Sequence, residues 1–299
     1  MGRSLRLNQE ARWGLIFALP WIVAFLVFTA YPILLAVKMS YLDINLLQVE
    51  KARFVGFDNW VRAVQDPVFW KALFNVVYNQ AIFISLSFVV AMVFAALLKE
   101  IRYGGTFFRT MYFLPVVTSV TVAMLIFKFI ADPQGPIQQS LIEMGLLEKP
   151  VFWTFSKWLP MPILAIFNTW KWFGVQLLIF LGGMLSINPE ILEAAAVDGA
   201  GAWTRFRRIT LPLLRPQIIF VLTMNLINGL QMFTEVFLTF DLYGGPYGSG
   251  LTPVLYIYTK GFTEMEMGYA ATLGLFLAAI IFVAQQLQSR ILTRQTAGE

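Results

Sequence analysis

Six stretches of about 20 residues with almost no charge divide this chain, and they restrict its possible folds more than any other feature. They lie near residues 13–37, 72–98, 110–127, 161–187, 216–240 and 267–289. At 1.5 Å of rise per residue, a helix of about 20 apolar residues crosses the hydrocarbon layer of a bilayer. Each stretch is therefore expected to be a transmembrane helix, and the fold class is all-α: a polytopic membrane helix bundle. The rest of the composition agrees. Of 299 residues, 58% are hydrophobic and only 13% charged, with a mean hydropathy of +0.69. A water-soluble domain of that size needs more charge on its surface than 22 basic and 17 acidic residues supply. Four of the stretches contain no Asp, Glu, Lys or Arg; the fourth carries Lys171 and the fifth Glu235.

Lys and Arg are dense in short loops that stay cytoplasmic. With the N-terminus inside, the inner segments hold twelve basic residues in 61 positions, and the outer segments nine in 93. Both termini are therefore expected in the cytoplasm. The net charge of +5 follows from this topology. There is no sustained basic stripe, so a nucleic-acid partner is excluded. The first apolar run is longer than the 7 to 15 residues of a signal-peptide core and reads as a retained anchor helix. With no Cys and no His, disulfides and the common zinc and haem sites are ruled out, and no metal or catalytic residue is expected. Residues 1–299 read as one transmembrane domain.

Between the fourth and fifth stretches lies a polar segment, residues 188–215. Asn188, Pro189 and Glu190 supply an N-cap, a preset first-turn residue and an acid that complements the helix dipole. Glu193 and Ala194 to Ala196 continue a helix that Gly199 can end in the left-handed conformation. Trp203 to Arg208 reads as a second helical piece, and Pro212 and Pro216 mark re-entry into the membrane. Small alanines allow a close approach to the backbone, while Glu193 and Asp198 offer carboxylates to a basic surface. Taken alone, this is either a docking element or an amphipathic loop facing water. Outside the bilayer, Asp58 can cap a short helix stopped by Pro67, with Phe69 and Trp70 at headgroup level. Asp241 to Gly250, DLYGGPYGSG, is turn chemistry.

The string from Glu193 to Pro212 resembles the EAA loop of permease subunits in binding-protein-dependent ABC importers. That pattern is E-A-A, three residues, G, nine residues, I, one residue, L-P; Glu193, Ala194, Ala195, Gly199, Ile209, Leu211 and Pro212 meet it throughout. The resemblance extends along nearly the whole chain and is greatest to the carbohydrate-uptake branch, which also takes glycerol phosphate derivatives. Phe54 to Trp60, Phe107 to Pro115, Gly244 to Pro246, Tyr256 to Phe262 and Met267 to Thr272 are similar to landmarks of that branch. Asn188-Pro189 departs from its common Ile-Pro. The C-terminal ending typical of the second permease type is lacking, so the chain resembles the first permease of a heterodimeric pair.

The resemblance implies a multi-pass protein of the bacterial cytoplasmic (inner) membrane working by alternating access. Its implied partners are a second homologous permease, two ATPase subunits and an extracytoplasmic solute-binding protein, with lipid around them. Glu193, Ala194, Ala195, Asp198, Gly199 and Phe206 would form the coupling helix that docks on an ATPase. No GxxxxGK[ST] is present, so this chain is expected to bind no cofactor, with ATP and Mg on the partner ATPases.

Polar residues inside the fourth and fifth spans should avoid lipid and face the bundle interior or a watery path. In the fifth, Asn225, Asn228, Met232 and Glu235 recur at helical spacing with Gln231 alongside, forming one polar stripe. Asn and Gln both donate and accept hydrogen bonds, as sugar hydroxyls require. The resemblance to maltose-type permeases places Asn228 on a solute-contacting asparagine and Gln231 where another asparagine stands. Asn168, Lys171, Trp172 and Gln176, beside Trp170, are candidates for the facing wall. Each residue of the stripe could instead only bond neighbouring helices. Lys171 could neutralise Glu235, hold a structural position, or contact an anionic solute. The other function classes are a membrane-embedded transferase using Glu235 or Asp241 as a base, and a scaffold. The first needs a second carboxylate or a metal nearby, and the second leaves the stripe unexplained.

Overall fold

A computed structural model describes residues 9–101 and 103–294 of the chain. The expectations that rest on Arg3, Arg6 and Arg102 lie outside the described residues. Among the described residues, four single helices are long and apolar enough to cross a membrane: Ile16–Ser40, Pro67–Glu100, Pro160–Leu185 and Met267–Ile291. Two bent pairs raise the number of crossings to as many as six. The described residues fall into two compact units, Met1–Gln65 with Lys260–Phe276, and Asp66–Thr259 with Leu277–Glu299.

In the first unit, α1 (Gln9–Phe25) and α2 (Tyr31–Ser40) form one span joined by a π-helical turn at Leu26–Ala30. Pro32 has no N–H to return to the preceding turn, and a widened turn absorbs the loss. None of the span's apolar window is buried within the chain, which leaves it for lipid or another subunit. A short antiparallel pair, β1 (Leu42–Asp43) and β2 (Arg53–Phe54), leads to α3 (Asp58–Gln65). Asn59 on α3 is buried and donates to the carbonyls of Ser40 and Leu42, 3.1 Å each. Arg62 pairs with Glu266 at 2.7 Å and lies over the Tyr269 ring.

The second unit begins with α4 (Pro67–Glu100), whose N-cap Asp66 accepts from the amides of Val68 and Phe69. Pro67, expected only to stop the preceding helix, occupies the first turn of the next, where its missing N–H does no harm. As a result Phe69, expected at headgroup level, is fully buried. The packing partner is α8 (Pro160–Leu185). Asn79 donates to the Met161 carbonyl and Gln176 to Ser87; the pairs advance along both helices in the same direction, so the helices run parallel. Ala91, Ala95 and Leu98 meet Phe173, Leu177, Phe180 and Met184 in the core, the spacing expected of two facing helical stripes.

The third span is not the straight helix expected over 110–127. It breaks into α5 (Gly105–Val117) and α6 (Val120–Ile130), bent by 93°, and a short helix, α7 (Pro136–Glu143), follows. Pro115 removes one helical donor, and Thr118 is extended (φ −71°, ψ 148°). Lys171, fully buried on α8, supplies what the break lacks. Its Nζ donates to the carbonyls of Pro115, Val116 (3.1 Å) and Thr118 (2.6 Å) and to Thr118 Oγ1. Nearby, a Cβ on Gly174 would fall 2.2 Å from the Tyr112 carbonyl oxygen, so only glycine lets α8 approach α5 this closely.

The 188–215 segment follows its sequence closely. Asn188 accepts from the Glu190 amide at 3.1 Å and opens α9 (Pro189–Val197). Gly199 ends the turn at φ +81°, where a side chain would be strained. After it come α10 (Ala202–Arg205), a π turn at Phe206–Thr210, and α11 (Leu211–Leu213). A 66° bend then leads into α12 (Arg215–Leu230).

The fifth window, expected as one helix over 216–240, is divided between α12 and α13 (Thr234–Thr239). Gln231 (φ −98°, ψ 15°) and Phe233 (φ −137°, ψ −58°) leave helical geometry. Thr252, the N-cap of α14 (Pro253–Tyr258), donates to the freed Met232 carbonyl at 2.8 Å. Asp241 to Gly250 forms consecutive turns, with Asp241 Oδ1 accepting from the amides of Tyr243 and Gly245. Lys71 and Asn75 on α4 donate to carbonyls at Tyr247, Gly248 and Leu251, so this loop is held in place.

Candidate functional site

The break between α12 and α13 opens onto a cavity of about 600 Å³, within the size range of small-molecule sites. All five residues of the anticipated stripe, Asn225, Asn228, Gln231, Met232 and Glu235, line it. They do so from two helices and the non-helical link between them. Unwound backbone inside a membrane is tolerated where it faces protein or a watery cavity.

The fourth span contributes Asn168, Trp172 and Gln176, at i, i+4 and i+8 on one face of α8. Two of its other candidates lie elsewhere. Trp170 is half-exposed and does not line the cavity. Lys171 points to the α5–α6 bend. Among the described residues it makes no direct ion pair with Glu235, although the two side chains act on each other electrostatically. Its four acceptors belong to residues 115–118.

The third wall comes from α4, which carries Gln80 and Phe83 to the cavity. Sequence reasoning passed over this helix because its apolar window, residues 72–98, has no charge. The signal was present: Asn75, Asn79, Gln80 and Ser87 interrupt an otherwise apolar helix, and all four are buried. The argument applied to the fifth span, that polar groups in a membrane helix avoid lipid, applied here equally.

Four amides at the wall each keep one polar atom without a partner in the chain. They are Gln80 Oε1, Asn168 Oδ1, Gln176 Oε1 and Asn225 Nδ2. Their other atoms are partly engaged: Gln80 donates to Asn79 Oδ1 (3.2 Å), and Gln176 to Ser87 Oγ (3.2 Å) and Asn225 Oδ1 (3.4 Å). Buried amides left open are unfavourable unless water or a ligand completes them. Trp172, Phe83, Phe220 and Phe233 add ring surfaces. Glu235 is the one carboxyl among the described lining residues, and no Lys or Arg lines the cavity. Such a surface can hold hydroxyl groups by hydrogen bonds and apolar faces by stacking. It offers a base no adjacent carboxyl partner.

The second functional region is the 188–215 segment. No residue of α9 is buried within the chain. Glu193, Ala194, Asp198 and Gly199 are exposed, and Ala195 and Phe206 are half-buried. Val197 and Trp203 present 89% and 70% of their surface, apolar area that a soluble loop would hide. Trp203 stacks on Phe206 at 5.8 Å, and Arg205 donates to the Leu192 carbonyl, tying the two helical pieces together.

Comparison with known proteins bears on both regions. Residues 87–296 match the family model described as "Binding-protein-dependent transport system inner membrane component". The lactose transport system permease protein LacF of Rhizobium radiobacter is 34% identical over 92% of this chain and 92% of its own length. A chain of a bacterial ABC transporter that imports the acidic polysaccharide alginate superposes with TM-score 0.81 at 26% identity, covering 95% of this chain and 96% of that one. A chain of the alginate transporter in complex with a periplasmic protein bound to alginate pentasaccharide gives 0.80 at 26% identity, covering 97% and 98%.

Proposed function

Because the chain belongs to the family of binding-protein-dependent transport system inner membrane components, we propose that it is a permease subunit of an ABC importer that moves a sugar or oligosaccharide inward. The observation that carries this reading is the amide-lined cavity at the broken fifth span, joined through α12 to an exposed coupling segment. The solute occupies the cavity, contacting Asn228, Gln231, Asn225 and Glu235 on one side and Asn168, Trp172 and Gln176 on the other. Lys171 acts on the site indirectly, by fixing the bend of α5 and α6 against α8.

The coupling segment docks on a partner ATPase through Glu193, Ala194, Ala195, Asp198, Gly199 and Phe206. ATP and Mg bind there, on the partner. Nucleotide-driven closure displaces the segment, and α12 carries the motion inward. With 16 residues at 1.5 Å each, α12 is about 24 Å long, enough to link the cytoplasmic face to the cavity at its far end. Alternating access follows when that lever reorients the α12–α13 break. A second homologous permease completes the pore, and an external binding protein delivers the solute; support for the latter comes from the complex of the alginate importer with its periplasmic protein. Both termini lie in the cytoplasm, supported by the excess of basic residues in the inner loops.

Reconstitution tests the reading. Uptake into liposomes should require the ATPases, ATP and the binding protein together; turnover of a solute by the lone chain would point to an enzyme instead. Glu193→Lys should uncouple or release the ATPase, read as lost uptake and lost co-purification, and undiminished transport would remove the docking role. Since the chain has no Cys, single cysteines placed at Ala196 or Ala200 report sidedness cleanly. Labelling of either from outside the cell would overturn the topology.

A further inference from the structure

On the importer reading above, the cavity wall also specifies the charge of its cargo. Three of the four open amides are more than nine-tenths buried: Gln80 at 6%, Asn168 at 5% and Gln176 at 3% exposure. Each keeps one polar atom unbonded in the chain. A hydroxyl group donates and accepts, so a polyol that reaches these atoms, closed off in this conformation, can complete them. A carboxylate or phosphate only accepts, and away from water it also demands a positive charge. None is on offer. Among the described residues no Lys or Arg lines the cavity, and Lys171, whose charge acts on Glu235 from behind the wall, has all three of its donors engaged by the 115–118 segment. Glu235 is no countercharge in either protonation state: ionised it repels an anion, and protonated it gives only a hydrogen bond.

One contact shows how Gln80 reaches this wall. A Cβ on Gly229 would lie 2.1 Å from the Gln80 amide carbon and oxygen, so the amide occupies the space that the missing side chain leaves on α12. Gly229 and Gln80 therefore act as a matched pair across two helices. We infer that the cavity selects uncharged, hydroxyl-rich saccharides over acidic or phosphorylated ones, and that Gln80, seated over Gly229, is a solute-contacting, specificity-determining residue.

The complete transporter in liposomes, with its partner permease, ATPases and binding protein, tests this with labelled lactose, raffinose, trigalacturonate and glycerol 3-phosphate. ATP-dependent uptake is expected for at least one of the neutral sugars, at ten times or more the rate of either anion. An anion carried as fast as the neutral sugars overturns the charge selection and leaves the importer role intact. ATP-dependent uptake of none of the four, from a fully assembled complex, counts against the importer reading itself. Gln80→Leu keeps the side-chain size and should lower sugar uptake at least tenfold in a complex that still co-purifies. Gly229→Ala should lower it similarly by displacing Gln80. The double variant should be no worse than the poorer single one, because both changes remove the same contact. Unchanged uptake in Gln80→Leu, or losses that multiply in the double variant, would overturn the assignment of Gln80.

Discussion

At the bend between α5 and α6, the carbonyls of Pro115, Val116 and Thr118 all meet one buried amine, Lys171, whereas at the break between α12 and α13 the described side-chain donors are two neutral ones, Thr252 to Met232 and Gln231 to Ile227, and the break faces a cavity. Both regions interrupt a membrane span, where unpaired backbone groups are unfavourable by several kcal/mol each. The first interruption is closed by the protein's own charge. The second is left partly open, and its surroundings carry amides that nothing in the chain completes. On the function proposed above, the difference separates a capped strut from a site that must accept and release a ligand. It also shows that a charge inside a span does not by itself mark the site: Lys171 is a cap, and uncharged Gln80 is at the wall.

This contrast can be broken experimentally, most severely at the strut. Lys171→Met leaves the Val116 and Thr118 carbonyls without their donor, while Thr118 still serves that of Pro115, and should destabilise the chain by roughly 3 kcal/mol, read as a lowered unfolding midpoint of the purified transporter. A midpoint equal to the parent's would mean that the bend needs no cap. Asn228→Leu should do the reverse, cutting uptake about tenfold, the worth of roughly one hydrogen bond to solute. Its unfolding midpoint should hardly move, since Asn228 is exposed within the chain; normal uptake would remove Asn228 from the site. Thr252→Val takes away the bond to Met232 and an N-cap, for a loss of about 1 kcal/mol. If stability were unaffected, the break would be supported by something other than Thr252. The smallest effect is expected at Lys128 on α6, which donates to the carbonyls of Leu238 and Thr239 at 3.3 and 3.5 Å. Lys128→Met should lower stability by about 0.5 kcal/mol. A loss as large as that of Lys171→Met would erase the distinction between a partly solvated cap and a buried one.

Local chemistry was legible in the 188–215 segment. Asn188, Pro189 and Gly199 each act within a few residues of themselves, so the N-cap, first turn and left-handed stop appear where their residue types demand them. The faces of α8 could be partly read too: Asn168, Trp172 and Gln176 share one side at helical spacing. What failed was the direction of a single long side chain, Lys171, one residue from that face, and the continuity of the third and fifth spans. A proline inside an apolar run signals a kink without giving its angle, and the 93° bend depends on a donor 53 residues or more away.

The sequence alone determined the all-α membrane class and the helix starts and stops of the 188–215 segment, because hydrophobic length, charge and capping are properties of contiguous residues. Only the tertiary structure decided which polar groups remain unsatisfied. That depends on partners brought together from α4, α8 and α12, and a buried amide becomes a binding group or a structural one according to whether a neighbouring helix completes it.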